Sequence, residues 1–260
     1  MIFYTCCMSD KGLVRLNNED TCYCQEADNN RKSDSHDYAL YMVADGMGGH
    51  QAGEVASGTA IEHIVSAVNK TLISGTLQED YTQILVNAII DTNTVLYALS
   101  QTKPDLAGMG TTLTAGLRIA ERLYLGHVGD SRAYLFRNNE TIRLTNDHSL
   151  VANLIKAGMI SEQEARTHPD RNKIFRSLGT SPDITVDTYR NIAGNDSLPL
   201  MPDDILLFCT DGLHGLMDDE EIQTIVAGST DLHHTCKQLI AEANTRGGTD
   251  NISVVMVKSE

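Results

Sequence analysis

Stretches of strand period are joined by links too short for a crossover, and this restricts the chain more than any other feature. Residues 111–119 and 122–128 are separated only by Ala120-Glu121, and 131–137 and 141–144 are joined through Asn138-Asn139. Parallel strands need a connection of a dozen residues or more, so such links dictate antiparallel pairing. Asn138 and Asn139 also tolerate the positive φ that a two-residue hairpin demands. Further strands are predicted over 2–8, 21–25, 38–44, 184–189, 204–209 and 252–257. Between them the apolar period changes. Ala56, Ala60, Ile64 and Val68 mark a helix over 53–68, and Leu85, Ala88, Ile89 and Leu96 mark another over 80–99. Two long helices in succession predict an antiparallel pair. Helices are also predicted over 149–157, with Asp147 as N-cap, and over 161–166, 218–226 and 232–243. The regular strand-helix alternation of an open parallel sheet is absent. Two facing antiparallel sheets, each covered outside by helices, would bury every apolar face of this α+β inventory.

No repeat, low-complexity tract or Pro/Gly-rich linker interrupts the sequence, which predicts one domain over residues 1–260. A hydrophobic content of 41% supplies a sizeable core. No apolar run is long enough to span a bilayer, and the N-terminus lacks the basic and apolar regions of a signal peptide. The cysteines form no C-x-x-C pair, and Cys22 and Cys24 read as small packing groups on one strand face. A reducing, cytoplasmic location is expected. The formal net charge of −15 argues against nucleic-acid and anionic-membrane partners.

Carboxylates gather at the predicted strand ends. Asp45-Gly46 closes the apolar run Tyr38-Ala-Leu-Tyr-Met-Val-Ala, and Asp211-Gly212 closes Ile205-Leu-Leu-Phe-Cys in the same manner. Glu19-Asp20 precedes one strand, Asp250-Asn251 another, and Asp130 follows Gly129. Each alone reads as a turn or cap residue. Together they suit a hard cation, because buried carboxylates repel one another unless a metal compensates. Without His or Cys among them, the set favours Mg²⁺ or Mn²⁺ over zinc. Two such ions can lower the pKa of a water and clamp a displacement at phosphorus. Arg15, just ahead of Asp20, can grip a phosphate with two parallel hydrogen bonds. No nucleophile elbow, thiol-phosphatase loop or Walker A sequence competes.

The motifs Arg15-Leu-Asn-Asn-Glu19-Asp20, Val43-Ala-Asp45-Gly46-Met-Gly-Gly-His50, Gly110-Thr-Thr, Val128-Gly-Asp130-Ser-Arg132, Cys209-Thr-Asp211-Gly212 and Gly247-Gly-Thr-Asp250-Asn251 run through nearly the whole chain. In that order they resemble the metal-dependent protein phosphatases of the PPM/PP2C type, in their compact bacterial form. The resemblance implies a four-layer αββα sandwich with a binuclear Mn²⁺/Mg²⁺ centre. It implies that Asp45 bridges two ions and the Gly46 carbonyl binds one. Asp211 and Asp250 complete one shell, Glu19 and Asp20 support the other, and Asp130 holds a third, weaker ion. It also assigns the substrate phosphate to Arg15.

The pattern departs from many eukaryotic relatives after Asp-Gly, where Met47 replaces histidine. His50 is then either the general acid or a residue that caps the following helix, with a metal-bound water as the alternative acid. The expected activity is hydrolysis of phosphoserine and phosphothreonine in proteins by a metal-bridging hydroxide, opposing a protein kinase. The rival readings are a non-catalytic phosphoprotein binder and a phosphatase for small metabolites. The locally basic stretch 156–179 resembles the family's flap beside the active site, with Lys156, Arg166, Arg171, Lys173 and Arg176 as its cations.

Overall fold

The computed structural model describes residues 1–26, 38–48, 52–73, 80–228 and 231–260. The polar stretch 28–37 and His50 lie outside the described residues. Strands β1 (Phe3–Asp10), β2 (Asp20–Glu26) and β3 (Tyr38–Met47) come first, followed by helices α1 (Ala52–Ile73) and α2 (Tyr81–Thr102). Next are β4 (Gly110–Thr111), β5 (Leu113–Ile119), β6 (Arg122–Val128), β7 (Arg132–Arg137) and β8 (Glu140–Arg143). An irregular region holds α3 (Leu150–Lys156), α4 (Glu162–Thr167), β9 (Asp187–Thr188), α5 (Tyr189–Ala193) and β10 (Leu198–Pro199). The chain closes with β11 (Ile205–Cys209), α6 (Asp211–His214), α7 (Asp219–Ala227), α8 (Leu232–Thr245) and β12 (Ile252–Ser259).

One sheet runs β1-β12-β11-β7-β8, and the other runs β10-β6-β5-β3-β2, with β4 on β3 and β9 on β6. Neighbours pair antiparallel throughout. Alternation along β3 explains the layering. Leu40, Met42 and Ala44 face α1 and α2, where they meet Ile64, Leu85 and Leu96. Tyr41 and Val43 face the other sheet, where they meet Phe208 and Val255. Leu207, Val254 and Met256 turn outward onto Ile222, Leu239 and Ala243 of α7 and α8. The result is the αββα order of helices, sheet, sheet and helices. Among the described residues, no helix is long and apolar enough to cross a membrane.

Local signals place most elements. Strand β6 has the expected bounds, and Asn138 and Asn139 turn the hairpin with φ of 52° and 64°. Asp80 caps α2 by accepting the Gln83 N–H at 3.0 Å. Three expectations need correction. Asp147 does not cap α3; Ser149 does, accepting the Ala152 N–H at 3.3 Å, because Asp147 is drawn into an ion pair with Arg132. The strand expected over 184–189 is limited to Asp187–Thr188. The Asn191 side chain accepts from the Thr188 N–H at 2.8 Å and starts a helix there instead. The strand expected over 38–44 continues through Asp45 and Gly46 to Met47, because β4 pairs with that extension.

Candidate metal centre

The register of β2 on β3 sets Asp20 directly opposite Asp45. Like charges facing each other across an antiparallel pair are destabilising, so this pairing needs a compensating charge. The backbone holds it firmly. Asp45 N–H donates to Thr112 Oγ1 at 3.0 Å, and its carbonyl accepts from the Thr112 N–H and the Thr111 hydroxyl, each at 2.9 Å. A side chain on Gly46 would place its Cβ 2.1 Å from the Gly53 carbonyl oxygen. Only glycine permits that approach of β3 to the start of α1.

Two further carboxylates arrive from sequence-distant loops. Asp211 opens α6 one residue after β11, with its side chain beside that of Asp45. Asp250 precedes β12; its Oδ2 accepts from Arg15 at 2.7 Å and its Oδ1 from the Asn251 N–H at 2.9 Å. Asp130 lies after β6 and feels the charges of Asp211 and Asp147. Burial, then the charges of Asp20, Asp211, Asp130 and Asp250, push the Asp45 carboxyl well above the usual range. Burial raises Asp20 to about 7, though the Thr210 hydroxyl donates to its Oδ2 at 2.8 Å. Burial, followed by the charge of Asp250, raises Asp211 to about 6. Glu19 is raised by burial too, with Arg15 opposing.

The donor set fits divalent cations. Asp20 Oδ1 and Asp211 Oδ1 are buried and have no hydrogen-bond partner among the described residues. An anionic oxygen left so costs several kcal/mol, roughly, unless a cation supplies the missing interaction. Among the described residues, no three His, Cys, Asp or Glu side chains form a ready-made metal site. A hard cation here would complete its shell with carbonyl and water oxygens, as Mg²⁺ characteristically does.

The structure thus brings Asp20, Asp45, Asp211, Asp130 and Asp250 into one interacting group, with Glu19, Gly46 and Arg15 beside it. The residues that hold them there had no role assigned from the sequence. Asn251 accepts the Glu19 N–H at 2.8 Å and donates to the carbonyls of Lys11 and Asn17 at 2.9 Å, sewing the Arg15 loop to the C-terminal loop. His214 is buried, which lowers its pKa to about 3 and keeps it neutral; its Nε2–H donates to the Asp130 carbonyl at 3.0 Å. Arg132 grips Asp147 with both ends of its guanidinium, at 3.0 and 2.7 Å. Burial pushes Asp147 up, but Arg132 outweighs it and holds the carboxyl down at about 2. The quoted motifs contain Asn251 and Arg132, whereas nothing in the local sequence marks His214.

A cleft of about 1010 Å³ extends from Asp130, Asp211 and Asp250 to Arg143, Lys156, Arg166, Arg171 and Phe175. The basic stretch expected at 156–179 therefore borders the carboxylates. Its C-terminal part is tied down. Leu150 N–H donates to the Lys173 carbonyl at 2.9 Å, and Arg176 pairs with Asp187 at 2.7 Å. Lys173, by contrast, is exposed and pairs with Asp170.

Comparison with known proteins bears on the family. The family described as protein phosphatase 2C matches residues 6–153. The serine/threonine phosphatase stp of Listeria welshimeri is 36% identical over 250 residues, covering 96% of this chain and 93% of the relative. The solved serine/threonine phosphatase PstP/Ppp of Mycobacterium tuberculosis superposes with a TM-score of 0.83 at 34% identity, covering 100% of both chains. A structure of the PstP catalytic domain in complex with 2 manganese ions gives a TM-score of 0.81 at 33% identity, covering 98% of this chain and 97% of that one. With its sandwich, its carboxylate group and these relatives taken together, the chain belongs to the protein phosphatase 2C family.

Proposed function

We propose that this phosphatase hydrolyses phosphoserine and phosphothreonine in proteins, opposing a protein kinase in the cytoplasm, with residues 1–260 acting as one domain. The observation that carries the reading is the opposed pair Asp20 and Asp45, with Asp211 beside them, all raised by burial and mutual repulsion. Glu19, Asp20, Asp45, the Gly46 carbonyl, Asp211 and Asp250 would hold two Mn²⁺ or Mg²⁺ ions, and Asp130 a third, weaker one. When bound, the ions supply an activated water for attack at phosphorus and charge to stabilise the transferring group. The chain's own residues do the rest. Arg15 is half-exposed beside Asp250 and faces the cleft, so its guanidinium can take two phosphate oxygens and align phosphorus for in-line displacement. The Asp45 backbone is clamped by Thr111 and Thr112, which keeps its carboxylate from turning away. The proton for the leaving serine or threonine oxygen comes from His50 or from water. In the His50→Ala variant, loss of the basic limb of the pH-rate profile would identify the histidine.

The cleft reaches well past the carboxylates to Arg166 and Arg171, more than a small phosphate ester needs, and this favours a peptide substrate. Hydrolysis of p-nitrophenyl phosphate with Mn²⁺, against a chelator control, separates an enzyme from a binding module. A phosphopeptide panel then separates protein from metabolite substrates.

Arg15→Ala should lower kcat/KM by about 10- to 150-fold, from a lost charge-assisted contact of about 1.5–3 kcal/mol. Metal affinity measured by calorimetry should stay near that of the wild type. Unchanged kinetics would reduce Arg15 to a surface partner of Asp250. Arg166→Ala with Arg171→Ala should lower kcat/KM for acidic phosphopeptides about three- to tenfold. Activity on p-nitrophenyl phosphate should hardly move, and the peptide effect should shrink with salt. Lys173→Ala, already neutralised by Asp170, is the control. Equal losses on both substrates would point to a disturbed centre.

A further inference from the structure

Strands β1 and β2 are edge strands of different sheets, yet they approach within 8 Å between Cα atoms. Facing sheets ordinarily lie about 10 Å apart, so the sandwich narrows along this edge. The narrow edge is lined with sulfur. Cys7 on β1 packs into the layer between the sheets, and Cys22 and Cys24 on β2 pack into the same layer. Cys7 shares this layer with both β2 cysteines, and their nearness holds its thiol below the usual range. All three are free thiols and only partly buried, so a small oxidant can reach them. Cys6, next on β1, faces the other way and meets Cys236 of α8.

We propose that Cys7, Cys22 and Cys24 form a reversible oxidation site, in which a peroxide converts Cys7 and one β2 thiol into a disulfide stapling the two sheets. The Cys7 sulfur attacks one oxygen of hydrogen peroxide; the O–O bond breaks, water leaves and Cys7 becomes a sulfenic acid. The sulfur of Cys22 or Cys24 then attacks the Cys7 sulfur. The S–O bond breaks, the S–S bond forms and a second water leaves. Two thiols have given up two electrons and two protons, and the peroxide has taken up both. A dithiol reductant reverses the step by exchange. The remaining β2 thiol stays beside the bond, so the disulfide can pass between Cys22 and Cys24 by the same chemistry. Because β2 begins at Asp20, the staple tethers the strand that carries a carboxylate of the centre.

The test treats the chelated full chain with stoichiometric hydrogen peroxide, blocks free thiols with N-ethylmaleimide and maps peptides by mass spectrometry. A Cys7–Cys22 or Cys7–Cys24 cross-linked peptide, lost on adding dithiothreitol, is the expected result. Cys22→Ser should move the whole cross-link to Cys24, and Cys24→Ser should move it to Cys22. With both replaced, Cys7 should persist as a sulfenic acid captured by dimedone. The wild-type map alone decides the matter should a variant fail to fold. Cross-links confined to Cys6–Cys236, disulfides only between chains, or Cys7 driven to sulfinic acid without a cross-link would each overturn the proposal.

Discussion

Asp211→Asn should cut turnover at ordinary Mn²⁺ concentrations on the order of 10³-fold or more, while leaving the metal-free fold at least as stable as the wild type. The two halves of this expectation share one cause. Asp211 is one of several carboxylates forced together, and its buried Oδ1 has no hydrogen-bond partner among the described residues. A cation fills that need, and a neutral amide is a poorer ligand that also removes one negative charge. Without metal the same change is a relief. The amide can donate to the neighbouring Asp45 carboxylate, and the repulsion from Asp250 disappears. Calorimetric titration with Mn²⁺ and melting in chelator, beside steady-state kinetics, separate the effects. Wild-type turnover with unchanged metal affinity would remove Asp211 from the centre, and a lower melting point in chelator would show that its charge is not repelled.

In chelator, the chain should lose stability as pH rises from about 4 to about 7.5, by an amount on the order of a few kcal/mol. The folded pKa values of Asp20 (about 7) and Asp211 (about 6) lie above the ordinary value of 3.8. Their protons are therefore bound more tightly in the folded chain. Their contribution is fully present below the unfolded pKa and is lost as pH climbs through 6 to 7. Asp45 and Asp130 shift in the same direction. Asp147 and Asp187 run the other way, held low by Arg132 and by His148 and Arg176 respectively, so their stabilisation disappears only as pH falls through the acid range. The metal-free optimum should thus sit on the acid side of neutrality. Saturating Mn²⁺ should abolish the decline, because cations compete with protons for the same oxygens and bind the folded state selectively. Urea unfolding at pH 5 and pH 7.5, with and without Mn²⁺, measures this. A chelated protein more stable at pH 7.5 would mean that the carboxylates do not repel one another as their burial implies.

The peroxide staple and the metal centre share strand β2 but rest on different side chains, so either can fail without the other. Cys22 and Cys24 read as packing residues in sequence because their partner Cys7 is on another strand of another sheet.

What the sequence determined by itself is local. The two-residue links at Ala120-Glu121 and Asn138-Asn139 set antiparallel neighbours, and the spacing of Ala56, Ala60, Ile64 and Val68 set a helix. Such signals act between residues a few positions apart, and they are readable because turn geometry and apolar period repeat in every fold. The acidic motifs could be found in the same way, and their order along the chain identified the family. Only the tertiary structure decided which groups meet. Strand register put Asp20 opposite Asp45; β4 carried β3 past its expected end; Asn251 tied Glu19 to the opposite end of the chain; and Arg132 took Asp147 away from its helix cap. These outcomes depend on partners far apart in sequence, chosen by packing and by the electrostatic cost of burying charge, and no window of neighbouring residues contains that balance.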